Sequence, residues 1–253
     1  MKKIILSILV SAILSTLIIN AQDKSSGTVV YEEVTKIEIK LEGEMAHLMK
    51  DLPKEQRAEK MLYFSPEASL YTAPEKEEET DHGMGGGGMR IMMGAGPENK
   101  LYVDLKKEEV IEQREFMTRT FLINGEMPSS DWKITGEQKM ILDYPCMEAT
   151  KTDTASVVTR VWFAPTIPVK CGPGKYCNLP GLVLEVDIDN GKRKMLAQSL
   201  DFTAPAKELF KKPKSGKKVS NEEFDKIVAE KIKEMGGEEG MGSGSTIMIR
   251  VKH

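Results

Sequence analysis

The residues best suited to chemistry in this 253-residue sequence are histidines and methionines that cluster in two places. The first cluster lies in a glycine-rich stretch and consists of His82, Met84, Met89, Met92 and Met93. Thioether sulfur and imidazole are soft ligands that suit Cu(I) or Ag(I). The stretch is therefore a candidate Cu(I) site.

A second group of soft ligands lies near the C-terminus, where Met235, Met241, Met248 and His253 follow one another. It would extend the first site if the fold brought the two groups together. Methionines also serve as adaptable apolar contacts for a partner, and biased composition is a further explanation. Because glycine-rich backbone must be ordered on binding, we expect modest metal affinity unless a partner or the fold preorganises the loop.

The three cysteines are Cys146, Cys171 and Cys177. The last two flank a Gly-Pro-Gly turn, and in an oxidising compartment we expect a local disulfide between them. Cys146 is then a free, buried thiol. Connectivity cannot be read from sequence, so pairings with Cys146 stay open.

Hydrolytic catalysis finds little support in the sequence. The three histidines are His47, His82 and His253, and no nucleophile elbow, zinc-protease motif or phosphate-binding loop accompanies them. The glycine tract 85–88 lacks the Lys-Ser/Thr of a phosphate loop and is interpreted as a spacer. The acidic run 77–79 is typical of a solvated surface. We therefore expect a protein that is not an enzyme.

Most of the secondary structure predicted from the sequence consists of short β-strands. Polar and apolar residues alternate with period two, which indicates half-buried strands. The predicted strands are 28–34, 37–41, 60–65, 100–104, 110–116, 118–123, 133–142, 157–164, 182–188, 194–202 and 247–251. Tight turns are predicted at Asn124-Gly125 and at 189–191. The pattern predicts a mainly β fold, either an antiparallel curved sheet or a partly closed barrel, with one or two peripheral helices.

Two segments have helical periodicity. The first, 44–60, contains Pro53, which should break or restart it. The second, 220–235, begins at Ser220 or Asn221 as the N-cap and carries an apolar stripe. Residues 211–218 are rich in Lys, Pro, Gly and Ser and are predicted to be a linker into this helix.

The N-terminus has the three parts of a cleavable secretory signal over residues 1–21: two lysines, an apolar stretch and a small residue before the cut. An uncleaved membrane anchor is the alternative. Removing Lys2 and Lys3 leaves 34 basic and 39 acidic residues, a charge that argues against nucleic-acid binding. We expect a chain that is soluble after cleavage, with one β-rich domain at 22–210, a mobile loop at 75–97, and a linker, helix and C-terminal strand of the same domain at 211–253.

The middle of the chain carries its most distinctive residues. They include Tyr144-Pro145-Cys146, Trp162-Phe163-Ala164-Pro165 and, last, Asn178-Leu179-Pro180-Gly181-Leu182-Val183. Together they resemble the GLPGLI family of exported bacterial proteins, although Asn178 and Val183 replace the usual Gly and Ile. Cys146 lies where the family commonly has Cys, whereas Cys171 and Cys177 are additional. The resemblance implies a periplasmic or otherwise exported protein with a β-rich fold, and provides no activity or catalytic residue to transfer.

The motif residues themselves are interpreted as structural. Pro180-Gly181 suits a tight turn, because proline presets φ and glycine accepts positive φ. Two tryptophans are expected to pack in the core or at its rim. The predicted structural set is Trp132, Tyr144, Cys146, Trp162, Leu179, Pro180, Gly181 and Leu182.

These observations favour an exported, non-enzymatic binding or accessory protein of the bacterial envelope. A curved sheet with a docked helix offers a concave face for a peptide, a lipid or another envelope protein, an argument from fold alone. A soft-metal handling protein that binds Cu(I) is the first alternative. An enzyme of unrecognised type is the second, and it requires a pocket that holds a base with a perturbed pKa.

Overall fold

A computed structural model describes residues 23–36, 55–74, 99–129 and 131–234. The twelve strands among these residues form one sheet in the order β12-β6-β5-β4-β3-β2-β1-β11-β10-β9-β8-β7. The strands are β1 (Gly27–Lys36), β2 (Glu55–Phe64), β3 (Ala68–Thr72), β4 (Lys100–Asp104), β5 (Glu109–Phe116), β6 (Arg119–Glu126), β7 (Lys133–Ile141), β8 (Tyr144–Thr152), β9 (Val158–Ala164), β10 (Leu182–Ile188), β11 (Arg193–Asp201) and β12 (Lys217–Val219). All neighbours pair antiparallel except β12 and β6, which are parallel. The predicted fold class is confirmed.

The chain connectivity requires this sheet to be curved. Strands β6 and β7 are ten steps apart in the sheet, which is about 48 Å if the sheet is flat. Only residues 127–132 connect them, and this connection reaches at most about 25 Å. The sheet therefore curls so that β6 and β7 approach each other, and its concave side encloses the main core.

Within the described ranges, one α-helix and one 3-10 helix accompany the sheet. Helix α1 (Asn221–Glu234) packs Phe224 and Val228 against Phe121 and Ile123 of β6. The 3-10 helix (Lys207–Phe210) lies over a separate small cluster that contains Leu70 and Tyr102. In the part of the chain that is described, no helix is long and apolar enough to cross a membrane.

Local patterning predicted several elements well. Strands β4 and β10 have the predicted bounds, and α1 begins one residue after the expected cap at Ser220. Asp189 and Asn190, the first two residues of the predicted 189–191 turn, have positive φ values of 52° and 51°. The strands expected at 37–41 and 247–251, the signal at 1–21 and the loop at 75–97 lie outside the described residues.

Three local predictions were wrong. Residues 55–60 belong to β2 rather than to a helix, because the whole strand pairs with β1; residues 44–54 lie outside the described parts. Asn124-Gly125 lies inside β6, opposite Ile111 and Val110, and is not a turn. The end of the expected linker, Lys217 and Lys218, forms part of β12 beside β6.

Candidate functional site

The connection between β9 and β10 fills the middle of the concave face. We call residues 165–181 the plug. Its apolar side chains Ile167, Val169, Cys171 and Leu179 are buried among the core residues of the sheet. The sequence suggested a concave face free to receive a ligand, whereas this part of it is occupied by the protein's own chain.

Backbone hydrogen bonds fix the path of the plug. The amides of Leu182 and Val183, at the start of β10, donate to the carbonyls of Ile167 and Cys171 at 3.1 and 3.0 Å. The side-chain amide of Asn178 donates to the Pro128 carbonyl at 3.1 Å, which ties the plug to the connection between β6 and β7. The plug is therefore a specified element of the fold.

The Leu-Pro-Gly-Leu motif forms the exit of the plug. The amide of Gly181 donates to the Leu179 carbonyl at 2.8 Å, so Pro180 is the central residue of a γ-turn. A Cβ atom on Gly181 would lie 2.3 Å from the carbonyl oxygen of Ala164. Glycine is required here because the two backbones approach so closely.

Tyr31 anchors the same junction from the opposite side. It is fully buried on β1, and its hydroxyl donates to the Val183 carbonyl at 2.5 Å. Burial raises the pKa of this phenol well above its usual value, and nearby Cys171 and Cys146 raise it further. Tyr31 is therefore a neutral donor at physiological pH.

A largely buried carboxylate, that of Glu33, lies two residues further along β1. Its Oε1 accepts a hydrogen bond from the Tyr71 hydroxyl at 2.7 Å and lies 3.4 Å from Nη2 of Arg193. The Glu33 side chain is 11% exposed and that of Arg193 is 25% exposed. The pKa of Tyr176 in the plug is raised mainly by burial, while the charge of Arg193 lowers it and that of Glu33 raises it.

A second buried carboxylate, Glu112, lies on β5. Arg114 donates to its Oε1, and Lys175 of the plug forms an ion pair with Oε2 at 3.0 Å without an aligned hydrogen bond. Burial raises the pKa of this carboxyl, but the charges of Lys175 and Arg114 outweigh it and the pKa lies below its usual value. Lys175 also donates to Oδ1 of Asn221 at the start of α1, at 3.3 Å.

We call the two carboxylates, the side chains that contact them and Tyr176, the neighbour of Lys175 in the sequence, the tip cluster. The cluster consists of Glu33, Tyr71, Glu112, Arg114, Lys175, Tyr176 and Arg193. It carries three cations and two carboxylates, and the cations are 25–40% exposed, whereas the carboxylates are 8 and 11% exposed. The arrangement therefore presents positive charge and hydrogen-bond donors to an incoming group.

The tip cluster was not predicted, although one sequence signal pointed to it. Glu33 continues the period-two series of Val29 and Tyr31, and Glu112 follows Val110 in the same way. A glutamate at a core-facing position of an alternating strand must find a partner. The partners come from distant strands and from the plug, so sequence spacing could not supply them.

The predicted structural residues lie around this core. Cys146, Leu179, Gly181 and Leu182 are buried, whereas Trp132, Tyr144 and Trp162 are half-buried against it and Pro180 is exposed. Nζ of Lys139 lies 4.3 Å from the Trp162 ring centroid and also pairs with Glu185 at 2.5 Å. Rim packing of the tryptophans thus agrees with their location.

The three cysteines are free, buried thiols in this structure. Burial raises the pKa of Cys146 to about 11 and that of Cys177 to about 12. The Cys171–Cys177 disulfide stays a prediction.

The predicted soft metal ligands all lie outside the described residues. They are His82, Met84, Met89, Met92, Met93, Met235, Met241, Met248 and His253. Within the described ranges, no group of three His, Cys, Asp or Glu residues could hold a metal ion.

Comparison with known proteins gives one family. Residues 151–185 match the model described as "Protein of unknown function (Porph_ging)", known as the GLPGLI family of Bacteroidetes proteins. The predicted resemblance is confirmed over these residues. They comprise the end of β8, all of β9, the plug and the first residues of β10. No curated protein matches the chain.

Two solved structures of PNGF-II share the fold. A structure in space group P21 has a TM-score of 0.54 at 15% identity and covers 81% of this chain and 33% of PNGF-II. A structure in space group C2 has a TM-score of 0.53 at 16% identity, over 80% and 32%. The chain thus spans about a third of the length of PNGF-II, and the similarity concerns the fold alone.

Proposed function

We propose that this chain is an exported, non-enzymatic binding or accessory protein of the bacterial envelope, whose partner contacts the tip cluster. One observation carries the proposal: the stretch that matches the family model contains the plug, and the plug brings Lys175 to Glu112 and Tyr176 to the Glu33–Arg193 pair. Of the tip cluster, Lys175 and Tyr176 lie within the matched stretch, and the other members come from β1, β3, β5 and β11. Export rests on the signal predicted at 1–21.

The ionisation of the site favours binding over acid–base catalysis. A general acid or base works best with a pKa near the working pH. The pKa of Glu112 lies below its usual value, and those of Tyr71 and Tyr176 are raised above theirs, mainly by burial. The buried thiols also have raised pKa values, which disfavour a nucleophilic thiolate. These groups keep one protonation state across the physiological range.

The charge of the tip cluster indicates the chemistry of the partner. Its three cations exceed its two carboxylates, and the side chains of Arg114 and Arg193 are each 25% exposed. Guanidinium groups bind carboxylates through paired hydrogen bonds. Because the plug occupies the middle of the concave face, we favour a protein or peptide with acidic side chains over a lipid.

Site-specific crosslinking in the cell that makes this protein tests the location. A photoreactive residue replaces Lys192, which lies beside Arg193, and in a control variant it replaces Lys107 at the opposite end of the sheet. We expect a crosslinked partner from position 192 and none from position 107. Adding the substitutions Arg193→Gln and Arg114→Gln should abolish the crosslink from position 192. Equal crosslinking from both positions, or an adduct that survives the two substitutions, contradicts the proposal.

A native mass spectrum of protein purified from its own envelope tests the same idea without a label. Retained partner or peptide would add mass that is lost at higher ionic strength, because exposed charge pairs are screened by salt. An added mass that is unaffected by salt would instead indicate an apolar ligand and overturn the ionic mode of binding.

A further inference from the structure

The two plug cysteines occupy facing positions in a narrow loop. The amide of Asn178 donates to the carbonyl of Lys170 at 3.2 Å, so these two residues are paired across the loop. Cys171 and Cys177 are the next residues inward on the two sides. The next pair inward is close as well, because a Cβ atom on Gly172 would lie 2.4 Å from the Tyr176 carbonyl oxygen. Residues that face each other across two such closely spaced chains typically have Cα atoms about 4.5–5.5 Å apart, which lies within the range that a disulfide spans.

The two thiols share a buried environment and act on each other electrostatically. Burial raises the pKa of Cys171 well above its usual value, and the neighbouring Cys177 raises it further. Both side chains belong to buried residues, Cys171 at 1% and Cys177 at 2% exposure. The loop between them is short and begins with the turn residues Gly172-Pro173-Gly174, followed by Lys175 and Tyr176.

We propose that Cys171 and Cys177 are oxidised to a disulfide before the plug enters the sheet, and that this bridge preorganises the plug tip. Two S–H bonds break and one S–S bond forms. The two electrons and two protons reduce the disulfide of an exchange partner, such as oxidised glutathione, to two thiols. The inference relies on export only for an oxidising compartment, and it does not require a binding partner.

The accessibility of the two thiols determines whether oxidation comes before or after docking of the plug. Thiol–disulfide exchange needs an exposed thiolate that can reach the sulfur it attacks. In the folded chain neither thiol is accessible, and a thiol with a pKa of about 12 is ionised about a thousand times less than one with the ordinary value of 9.0. Oxidation must therefore precede docking of the plug, or wait for the plug to leave.

The bridge would act on the tip cluster directly. Lys175 and Tyr176 lie within the loop that it closes, and they reach toward Glu112 and Glu33 respectively. Gly172 is also confined, because a Cβ atom there would lie 2.4 Å from the Tyr176 carbonyl oxygen. Closing the loop restricts the unfolded chain and leaves fewer positions for the Lys175 and Tyr176 side chains.

The test compares two orders of oxidation for the mature chain. In one sample the reduced, denatured protein refolds with oxidised glutathione present. In the other it refolds fully reduced and then receives the same reagent. We expect the first sample to lose about 2 Da by two-electron oxidation and to keep one reactive thiol in denaturant. We expect oxidation in the second sample to be at least about tenfold slower.

Peptide mapping identifies the bridge without relying on any variant. Trypsin cleaves after Lys170, Lys175 and Lys192, so the predicted bridge joins peptide 171–175 to peptide 176–192. Cys146→Ala should show the same linkage. Three free thiols after oxidative refolding, a bridge to Cys146, or equal oxidation rates in the two samples would each overturn the proposal.

Thermal unfolding measures whether the bridge preorganises the plug. The bridged protein should have a Tm about 5 °C above that of the reduced protein. Cys146→Ala should show the same difference between its bridged and reduced forms, which separates the bridge from the core packing of Cys146. An unchanged or lower Tm on bridging would contradict the role assigned to it.

Discussion

The ammonium group of Lys175 lies 3.0 Å from Oε2 of Glu112 and joins the tip of the plug to strand β5. The carboxylate is 8% exposed and Lys175 is 40% exposed, so the pair connects the interior with the surface. Arg114 shares the same carboxylate and also lies 4.9 Å from the ring centroid of Phe224 on α1. Glu112 thus links the plug, the sheet and the helix through one charge.

Replacing this carboxylate by its neutral isostere should destabilise the protein in a pH-dependent way. We expect Glu112→Gln to lower the free energy of unfolding by about 2 kcal/mol at pH 7, because two cations lose a charged acceptor. The folded pKa lies below the ordinary 4.5. The contribution is therefore fully present above about pH 4.5 and is lost as the pH falls through the folded pKa.

Urea unfolding of both proteins at pH 7 and pH 3 measures this difference. The exposed pair Lys106–Glu67 is the control, because Glu67→Gln removes a solvated ion pair that contributes little. A difference between wild type and Glu112→Gln that stays constant down to pH 3 would show that the effect is steric.

The close approach at Gly181 leads to a second prediction. In Gly181→Ala the new methyl group would meet backbone atoms of Ala164, so β9 or the plug must shift. We expect a loss of about 2–3 kcal/mol in the free energy of unfolding.

Gly136→Ala is the matched control for that variant. Gly136 has a positive φ of 91°, but a Cβ atom there meets nothing within 4 Å. It should lose about 1 kcal/mol from backbone strain alone. If both variants lost the same amount, the close approach to Ala164 would have no separate cost.

The N-terminus of α1 gives a third prediction. The amide of Glu223 donates to Oγ of Ser220 at 3.1 Å, and Oε2 of Glu223 accepts from the amide of Ser220 at 2.9 Å. Ser220, one of the two predicted N-caps, thus forms a reciprocal capping box with Glu223. Ser220→Ala should cost about 1 kcal/mol, whereas Ser220→Thr retains the acceptor and should cost less.

Hydrogen exchange locates that effect. Amides in the first turns of α1 should exchange faster in Ser220→Ala, because fraying of this turn weakens the contact between Phe224 and Phe121. Amides of β10 should keep their protection, since α1 does not pack on that strand in the described contacts. Uniformly faster exchange would indicate global rather than local destabilisation.

Local chemistry explains the parts of the fold that could be predicted. The alternation of Leu182, Leu184 and Val186 gives β10 its correct bounds, and the capping residues define the start of α1. Both signals depend on neighbours within a few residues. Only one part of the plug was predicted. Its motif indicated a tight turn, but nothing in the sequence showed that the segment before this turn packs inside the curved sheet.

Long-range pairing explains the errors. Residues 55–60 include good helix formers such as Glu55, Ala58 and Lys60, yet each of these six residues has a ladder partner on β1, which makes them a strand. Gly125 has the sequence context of a hairpin turn, but it lies in β6, where a Cβ atom would come within 2.9 Å of the Asn221 side chain. These constraints come from residues that are distant in sequence, and no local pattern records them.

The buried hydroxyl of Tyr31 gives a final prediction that isolates one hydrogen bond. Tyr31→Phe keeps the ring and its edge-on contact with Tyr71, whose centroid is 6.0 Å away, and removes only the donor to Val183. The Val183 carbonyl then loses a buried partner, and we expect a loss of about 1–2 kcal/mol. Tyr144→Phe, at a half-buried position beside Phe202, should change stability much less.

Urea unfolding of Tyr31→Phe distinguishes two outcomes through the m-value, which scales with the surface exposed on unfolding. A lower midpoint with the same m-value means that the plug stays docked without the bond. A lower m-value would mean that the plug has already left the sheet in the native state, and that Tyr31 determines whether it docks.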